Sequence, residues 1–314
     1  SGYGNVTWGA ATKITELGGK VVTISGHNGY VYDPDGINTK EKLDYLLEIR
    51  ASRNANVKMY ADKFGLEFHE SEKPWGVKGD VYIPCATQNE VGMEEAKQIV
   101  ANGAKYYFEL ANMPTTNDAI AYMQANGVII GPAKAANAGG VAVSALEMSQ
   151  NSMRYSWTAE EVDAKLHDIM KGIYDSSVAA AKEYGMEGDL VAGANIAGFI
   201  KVAEAKVSMP WITVFLKGIG ANWFVCLAVW LALSGKSLLA KMAGCWLPVM
   251  VFVALGYEHS IANMFFIPAG MFEGANVEIM QAITTSFIPA TLGNIVGGAV
   301  FVGCAYYYVN RPEK

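Results

Sequence analysis

Val202-Ala203-Glu204-Ala205-Lys206-Val207-Ser208 is the stretch at which the chain changes character. Beyond Ala205 the acidic residues are Glu258, Glu273, Glu278 and Glu313; every other Asp and Glu lies before it. The stretch has none of the Gly/Ser or Pro richness of a spacer, so two pieces meet there without a linker. Averaged over 314 residues, 17% charged residues and a mean hydropathy of +0.17 fit neither an ordinary soluble chain nor a pure membrane bundle. The negative balance, -6 for the whole chain, comes from the first piece, and no nucleic-acid partner is expected.

Upstream of the join, residues 1–205 mix strand-like apolar runs such as Lys20–Ser25 with amphipathic helical stretches such as Thr158–Gly185. That length can bury a sizeable core, and the pattern predicts a soluble α/β domain. Downstream, residues 206–314 hold three apolar stretches, Ile212–Leu233, Met242–Tyr257 and Phe287–Val309. Each approaches the roughly 20 residues a helix needs to cross a bilayer, which predicts three transmembrane helices. Cys85, Cys226, Cys245 and Cys304 form no CxxC pair and have no His at ligand spacing. They are expected to be small buried residues, with neither a disulfide framework nor a metal site.

Gly2-Tyr3-Gly4-Asn5-Val6-Thr7 precedes an alanine-rich helical run, Trp8–Leu17, and then the strand at Lys20–Ser25. Glycines in such a turn let backbone approach a pyrophosphate at a helix N-terminus, where unpaired N–H groups favour anions. A purely structural turn is the other reading, since Thr7 stands where the dinucleotide pattern wants Gly or Ala. Taken with this turn, the runs Cys85-Ala86-Thr87-Gln88-Asn89, Ala111-Asn112-Met113-Pro114-Thr115-Thr116, Lys134-Ala135-Ala136-Asn137-Ala138-Gly139-Gly140-Val141 and Gly193-Ala194-Asn195-Ile196-Ala197-Gly198-Phe199 resemble, in order and spacing, the hexameric glutamate dehydrogenases of bacteria.

The resemblance covers residues 1–205 and implies the NAD(P)-binding domain of that family, a Rossmann-like sheet incomplete here at its first strand. It implies that Gly2, Gly4, Asn5 and Val6 cradle the pyrophosphate, that Thr87, Gln88 and Asn112 line the nicotinamide side, and that Asn137, Val141 and Ser144 reach toward L-glutamate or 2-oxoglutarate. From the residue alone, Ser144 reads instead as a helix hydroxyl bonded to its own turn. The cofactor choice turns on Ser25-Gly26-His27-Asn28, where no acid awaits the ribose hydroxyls; NADP stays open there, and similarity to the clostridial enzymes favours NAD. A domain of this kind supplies orientation and a dry wall. The family's catalytic lysine and aspartate lie in a domain ahead of this one, so no catalytic residue is assigned and turnover is not expected.

In the second piece, Gly218-Ile219-Gly220-Ala221-Asn222-Trp223-Phe224-Val225-Cys226-Leu227-Ala228 opens a membrane-length helix with small residues that permit close helix approach, and Asn222 can act as interhelical glue. Glu258, His259, Ser260 and Asn263 interrupt an apolar stretch and are followed by Pro268 and Gly270, a pattern that predicts a broken middle helix. An ionisable group at membrane depth costs roughly 2.5–3.5 kcal/mol and marks a functional site. His259 titrates near neutral pH and can offer a proton or positive field to a small anion; a neutral histidine satisfied by Glu258 is the structural alternative.

The run from Gly218 and the run Gly256-Tyr257-Glu258-His259-Ser260-Ile261-Ala262-Asn263-Met264-Phe265 resemble two signatures of the formate/nitrite transporter family. Over residues 206–314 this resemblance implies the second half of a six-helix subunit in a homopentamer, with formate or nitrite as cargo. The constriction and threonine loop that the family takes from its first half have no counterpart. The expectation is therefore a fusion: a cytoplasmic-type dehydrogenase domain joined to half of a membrane channel. An anion transporter with an inert N-terminal appendage, or a joined product of two genes with neither activity, are the alternatives.

Overall fold

The computed structural model describes residues 1–52 and 56–311, which form two compact units, residues 1–194 and 195–314.

The first unit is α/β. Helix α1 (Asn5–Glu16) leads to a hairpin of β1 (Thr23–Gly26) and β2 (Gly29–Tyr32), turned by His27 and Asn28. Gly29 sits at φ +144, and a Cβ there would fall 2.1 Å from the His69 carbonyl oxygen, so only glycine fits. Helices α2 (Lys40–Ala51) and α3 (Lys58–Phe64) follow, then β3 (Glu67–Glu70), which pairs antiparallel with β2. The Thr39 hydroxyl caps α2 by accepting from the Lys42 N–H at 3.2 Å. This sheet packs through Ile24, Val31, Ile37, Leu46, Ile49 and Tyr60.

A second sheet has β4 (Val81–Tyr82), β5 (Tyr106–Phe108) and β6 (Ile129–Gly131), all parallel, joined through α4 (Met93–Ala101) and α5 (Asn117–Ala125). Trp75, Tyr82, Ile99, Tyr107, Met123 and Ile130 form its core. The single Rossmann-like sheet that the resemblance implies is thus two three-stranded sheets, because among the described residues no strand pairs with the outer edges of β1 and β4. Short α6 (Ala133–Ala136), α7 (Ala138–Met153) and α8 (Ala159–Glu183) complete the unit. Thr158 and Glu161 close the start of α8 reciprocally, the Thr158 N–H donating to the Glu161 carboxylate at 2.7 Å and the Glu161 N–H to the Thr158 hydroxyl at 3.2 Å.

Helix α9 (Leu190–Ser208) has residues in both units, and it also contains the compositional join at Ala205. Ala203 and Val207 belong to the core of the second unit with Ile267, and a Cβ on Gly270 would fall 2.3 Å from that of Ala203.

The second unit is helical: α10 (Trp211–Ser234), α11 (Leu238–Ala254), α12 (Ser260–Phe272) and α13 (Ile279–Asn310), the last with two wide π-type stretches at Ala282–Phe287 and Val296–Cys304. Two of these, α10 and α13, are long and apolar enough to span a bilayer, not the three expected. The middle stretch lies mainly in α11, and the break expected at Glu258–Asn263 separates it from α12: Gly256, at φ +63, turns the chain after α11, and α12 begins after His259. In the apolar windows of α10 and α13 only 22% and 28% of residues are buried, so these helices present apolar side chains outward as a lipid-facing surface would. Cys85 is buried as expected, whereas Cys226 is half-buried and Cys245 and Cys304 are exposed on apolar helices.

Candidate functional site

In the first unit a cavity of about 730 Å³ opens at the start of α1. Gly2, Tyr3 and Gly4 form one wall, Ser25, Gly26, His27 and Arg50 another, and Ser71–Trp75 with Cys85–Glu90 the rest. Gly2 has φ +84, and a Cβ there would lie 2.5 Å from the Thr7 hydroxyl, so the turn demands glycine on two counts. Its N–H donates to the Ser25 hydroxyl at 2.8 Å while the Ser25 N–H donates to the Gly2 carbonyl at 3.1 Å, fastening the turn to β1. Gly4 at the N-cap supplies no side-chain acceptor, leaving first-turn N–H groups of α1 for an anion.

The structure gathers Gly2, Gly4, Ser25, Thr87 and Gln88 on this cavity. Asn5 instead accepts a hydrogen bond from the Arg50 guanidinium, and Val6 is 46% exposed. Asn112 and Asn137 form a pair of their own, the Asn137 amide donating to the Asn112 side-chain oxygen at 2.8 Å and to the Ala111 carbonyl at 3.3 Å. The buried Glu109 carboxylate accepts from the Ala133 N–H at 2.9 Å and so fixes the start of α6, just ahead of Asn137. Val141 is exposed on α7, and the Ser144 hydroxyl donates to the Gly140 carbonyl at 3.1 Å, the bond within its own turn.

Four charged wall residues escaped the sequence reading: Arg50, Glu72, Lys73 and Glu90. Glu90 organises the cavity floor, accepting from the Ser1 hydroxyl at 2.9 Å and the Ala86 N–H at 3.1 Å. Its only local signal is adjacency to Cys85–Asn89. Lys73 donates to the Glu95 carboxylate at 3.1 Å and to the Glu90 carbonyl at 3.2 Å.

Burial pushes the Cys85 thiol above its ordinary value, so its thiolate fraction is reduced. Alkylation of Cys85 by iodoacetamide, followed by mass spectrometry, should be slower at pH 8 than in the denatured chain and should climb only at higher pH. Equal rates in the two states would contradict this placement.

The second unit holds a polar cluster among apolar helices. Glu258, buried, pairs with Lys206 of α9 at 2.8 Å and accepts from the Asn263 amide at 2.7 Å. Asn263, also buried, donates to the Ser286 hydroxyl at 3.0 Å. The Asn294 amide donates to the Gly218 carbonyl at 2.8 Å and the Glu258 carbonyl at 3.0 Å, and its oxygen accepts from the Ser260 N–H and hydroxyl at 3.0 and 3.1 Å. Asn222 donates to the Asn294 carbonyl at 2.6 Å. His259 lies beside this network, half-buried, its ring stacked on Phe252 with centroids 6.0 Å apart. Its ring nitrogens have no hydrogen-bond partner among the described residues; the Glu258 carboxylate is turned to Lys206 and Asn263. Lys206, Ser286 and Asn294 were missed because their partners lie tens of residues away in the chain.

Residues 1–209 match the family model described as glutamate/leucine/phenylalanine/valine dehydrogenase, and residues 177–308 match that described as formate/nitrite transporter. The NAD-specific glutamate dehydrogenase of Clostridium symbiosum is 60% identical over 209 residues, covering 66% of this chain and 46% of that protein. The NADP-specific enzyme of Escherichia coli (strain K12) is 50% identical, with 66% of this chain and 46% of that protein covered. A solved glutamate dehydrogenase aligns at 61% identity and a TM-score of 0.64 over 65% of this chain and 46% of that one. A pentameric formate channel with formate bound aligns at 30% identity over 48% of this chain and 66% of that one, at a TM-score of only 0.35. The chain spans about half the length of the dehydrogenases it matches.

Proposed function

Because the chain belongs, through residues 1–209, to the glutamate/leucine/phenylalanine/valine dehydrogenase family, we propose that its first unit is a nicotinamide dinucleotide-binding module that holds cofactor without turning over glutamate. The observation that carries this is the 730 Å³ cavity at the uncapped start of α1, with Gly2 held at φ +84 against Thr7. The first-turn N–H groups of α1 would hold a pyrophosphate, an attraction worth more in a partly desolvated cavity than in water. Thr87 and Gln88 face the nicotinamide end, and the bonded pair Asn112–Asn137 orients substrate amide or carboxylate groups beside it. Hydride transfer also needs groups that activate water and carry protons. Lys73, the lysine on the cavity wall among the described residues, is held by Glu95 and Glu90.

NAD is the preferred ligand in this reading. The cavity wall carries Arg50 and Lys73 beside Glu72 and Glu90, and the lean to NAD follows the similarity to the NAD-specific enzyme of Clostridium symbiosum. Calorimetric titration of the full chain in detergent should show NAD binding, weaker NADP binding, and no glutamate-dependent reduction of either. Gly2→Val should abolish binding. Retained binding in that variant would move the site elsewhere, and measurable turnover would overturn the non-catalytic assignment.

For the second unit the proposal is half of a small-anion pore of the formate/nitrite type, with α10, the α11–α12 pair and α13 as three crossings. His259 is its titrating residue: it sits at the helix break with its ring nitrogens free of protein partners while Lys206 and Asn263 hold Glu258 in place. Pore assembly by several copies supplies the remaining wall. In proteoliposomes carrying the full chain, any formate or nitrite flux should lose its pH dependence in His259→Phe. Unchanged rate and pH profile would return His259 to packing against Phe252.

A further inference from the structure

Helices α10 and α13 of the second unit run side by side in the same direction. A Cβ on Gly293 would meet the Phe215 carbonyl, one on Gly297 the Ile219 carbonyl and one on Gly298 the Asn222 amide, so the register climbs together along both helices. It continues through Trp223 stacked on Phe301 and ends with Trp230 stacked on Tyr306, ring centroids 4.0 Å apart. Helix α11 runs back down: a Cβ on Gly244 would meet Leu231, and the Cys245 thiol reaches the Ala228 carbonyl at 3.9 Å. The turn from α10 to α11 and the last turn of α13 therefore lie at one end of the unit.

That end carries aromatic rings and unpaired cations together. Trp230, Tyr307 and Tyr308 are exposed there, rings with one apolar and one polar side that settle where a membrane meets water. Trp211, exposed and stacked on Phe215, begins α10; from it to Trp230 is about 28 Å of helix, close to the thickness of a bilayer's hydrocarbon core. Just past the Trp230 level stand Lys236 and Lys241, around the turn into α11, and Arg311, which follows α13; all three are exposed, and the Arg311 guanidinium lies 4.9 Å from the centre of the Tyr308 ring. Among the described residues, the carboxylates beyond α10 lie elsewhere. Glu258 is level with Gly218, since the Asn294 amide bonds both carbonyls. Glu273 and Glu278 flank the connection from α12 to α13, at the opposite end, because α12 runs against α13 through the Asn263–Ser286 bond and the packing of Ile267 with Ala282. Lys217 on α10 turns toward that opposite end, its ammonium 3.6 Å from the Met209 sulfur.

We propose, on the reading of α10 and α13 as bilayer crossings, that the Trp230 end is a headgroup site for anionic phospholipid. The Arg311 guanidinium and the Lys236 and Lys241 ammonium groups meet phosphodiester oxygens, while Leu238 and Leu239, exposed between the two lysines, enter the acyl boundary. A negatively charged leaflet draws basic segments toward it by about fivefold per cation, so three cations give about a hundredfold preference over zwitterionic lipid.

The test reconstitutes the full chain in phosphatidylcholine vesicles containing a rising share of phosphatidylglycerol with brominated acyl chains, which quench an indole that the lipid touches. Brominated phosphatidylcholine is the matched probe, and the signal of Trp230 is the difference between the parent and Trp230→Phe. Expected is quenching by the anionic lipid at about a hundredfold lower share than by the zwitterionic one, falling to near parity in the triple variant Lys236→Gln, Lys241→Gln, Arg311→Gln. About 0.5 M sodium chloride should erode the preference in the parent, and Lys236→Arg with Lys241→Arg should keep it. Should the triple variant misfold, the salt series on the unaltered chain still decides. Equal quenching by the two lipids in the parent, or a preference that the triple variant retains, would overturn the headgroup site alone. Displacement of the lipid by inorganic phosphate beyond that by sodium chloride of equal ionic strength would overturn it in favour of a free-anion pocket. Absence of quenching by brominated phosphatidylcholine would overturn the crossing of α10 as well. None of these readouts depends on formate or nitrite flux.

Discussion

Asp33→Ala is expected to lower the stability of the first unit by about 3–5 kcal/mol. Asp33 is fully buried at the end of β2; one carboxylate oxygen accepts from the Lys42 ammonium at 2.6 Å and the other caps the N–H groups of Asp35 and Gly36 at 3.2 and 3.1 Å. Tyr60, also buried, donates to it at 3.4 Å, and burial together with the Asp33 charge pushes the Tyr60 phenol well above its ordinary range, so the hydroxyl stays a donor. Removing the carboxylate strands the Lys42 ammonium, whose side chain is only 15% exposed, and orphans the turn. An ion pair on the surface would cost far less, about 0–1 kcal/mol. Hydrogen exchange at β1 and β2 amides measures the loss locally. Asp33→Ala with Lys42→Met should recover a large part of it, because the stranded charge goes too. A loss below about 1 kcal/mol in the single variant would show that Lys42 escapes to water.

Gly293→Val should be equally damaging in the second unit. A Cβ at Gly293 would lie 2.2 Å from the Phe215 carbonyl oxygen, and one at Gly297 2.2 Å from that of Ile219, both on α10. These are backbone atoms, which cannot swing aside as a flexible side chain would. Overpacking usually costs about 1–3 kcal/mol, and forcing two helices apart puts this case at or above the upper end. The Asn294 bond to the Gly218 carbonyl, 2.8 Å, would be lost with the contact. Gly303→Val is the control, since its added Cβ would meet only the Gly298 oxygen at 3.5 Å. Thermal unfolding in detergent should separate the two variants clearly; equal midpoints would mean that α10 and α13 part without cost.

Local signals carried much of this structure. The helical run Trp8–Leu17 overlaps α1, the apolar run at Lys20–Ser25 overlaps β1, and the stretch Thr158–Gly185 is α8 with its cap. The cluster of polar residues at Glu258–Asn263 marks the break between α11 and α12. Pairing over distance was not legible. Nothing near Lys206 names Glu258, 52 residues on, and nothing near Asn294 names Gly218. The middle apolar stretch was too short by itself to be a spanning helix, because the backbone turns at Gly256 and the apolar run resumes only in α12. The reading of a sheet incomplete at its first strand did not extend to its division into two three-stranded sheets, because apolar alternation identifies strands but not which edges remain open.

Trp75 combines two properties that rarely coincide: 2% exposure within the core of the second sheet and a place in the wall of the large cavity. Its indole N–H meets no acceptor, so its surroundings are those of a hydrocarbon, and its emission should sit at the blue end of the tryptophan range. Trp211, Trp223 and Trp246, exposed on α10 and α11, emit instead from whatever surrounds the apolar helices. Reduced nicotinamide absorbs where a buried indole emits. Under the proposed dinucleotide binding, occupancy of the cavity would be read optically, as quenching of the blue component that Trp75 shares with Trp8, whose buried indole N–H also meets no acceptor.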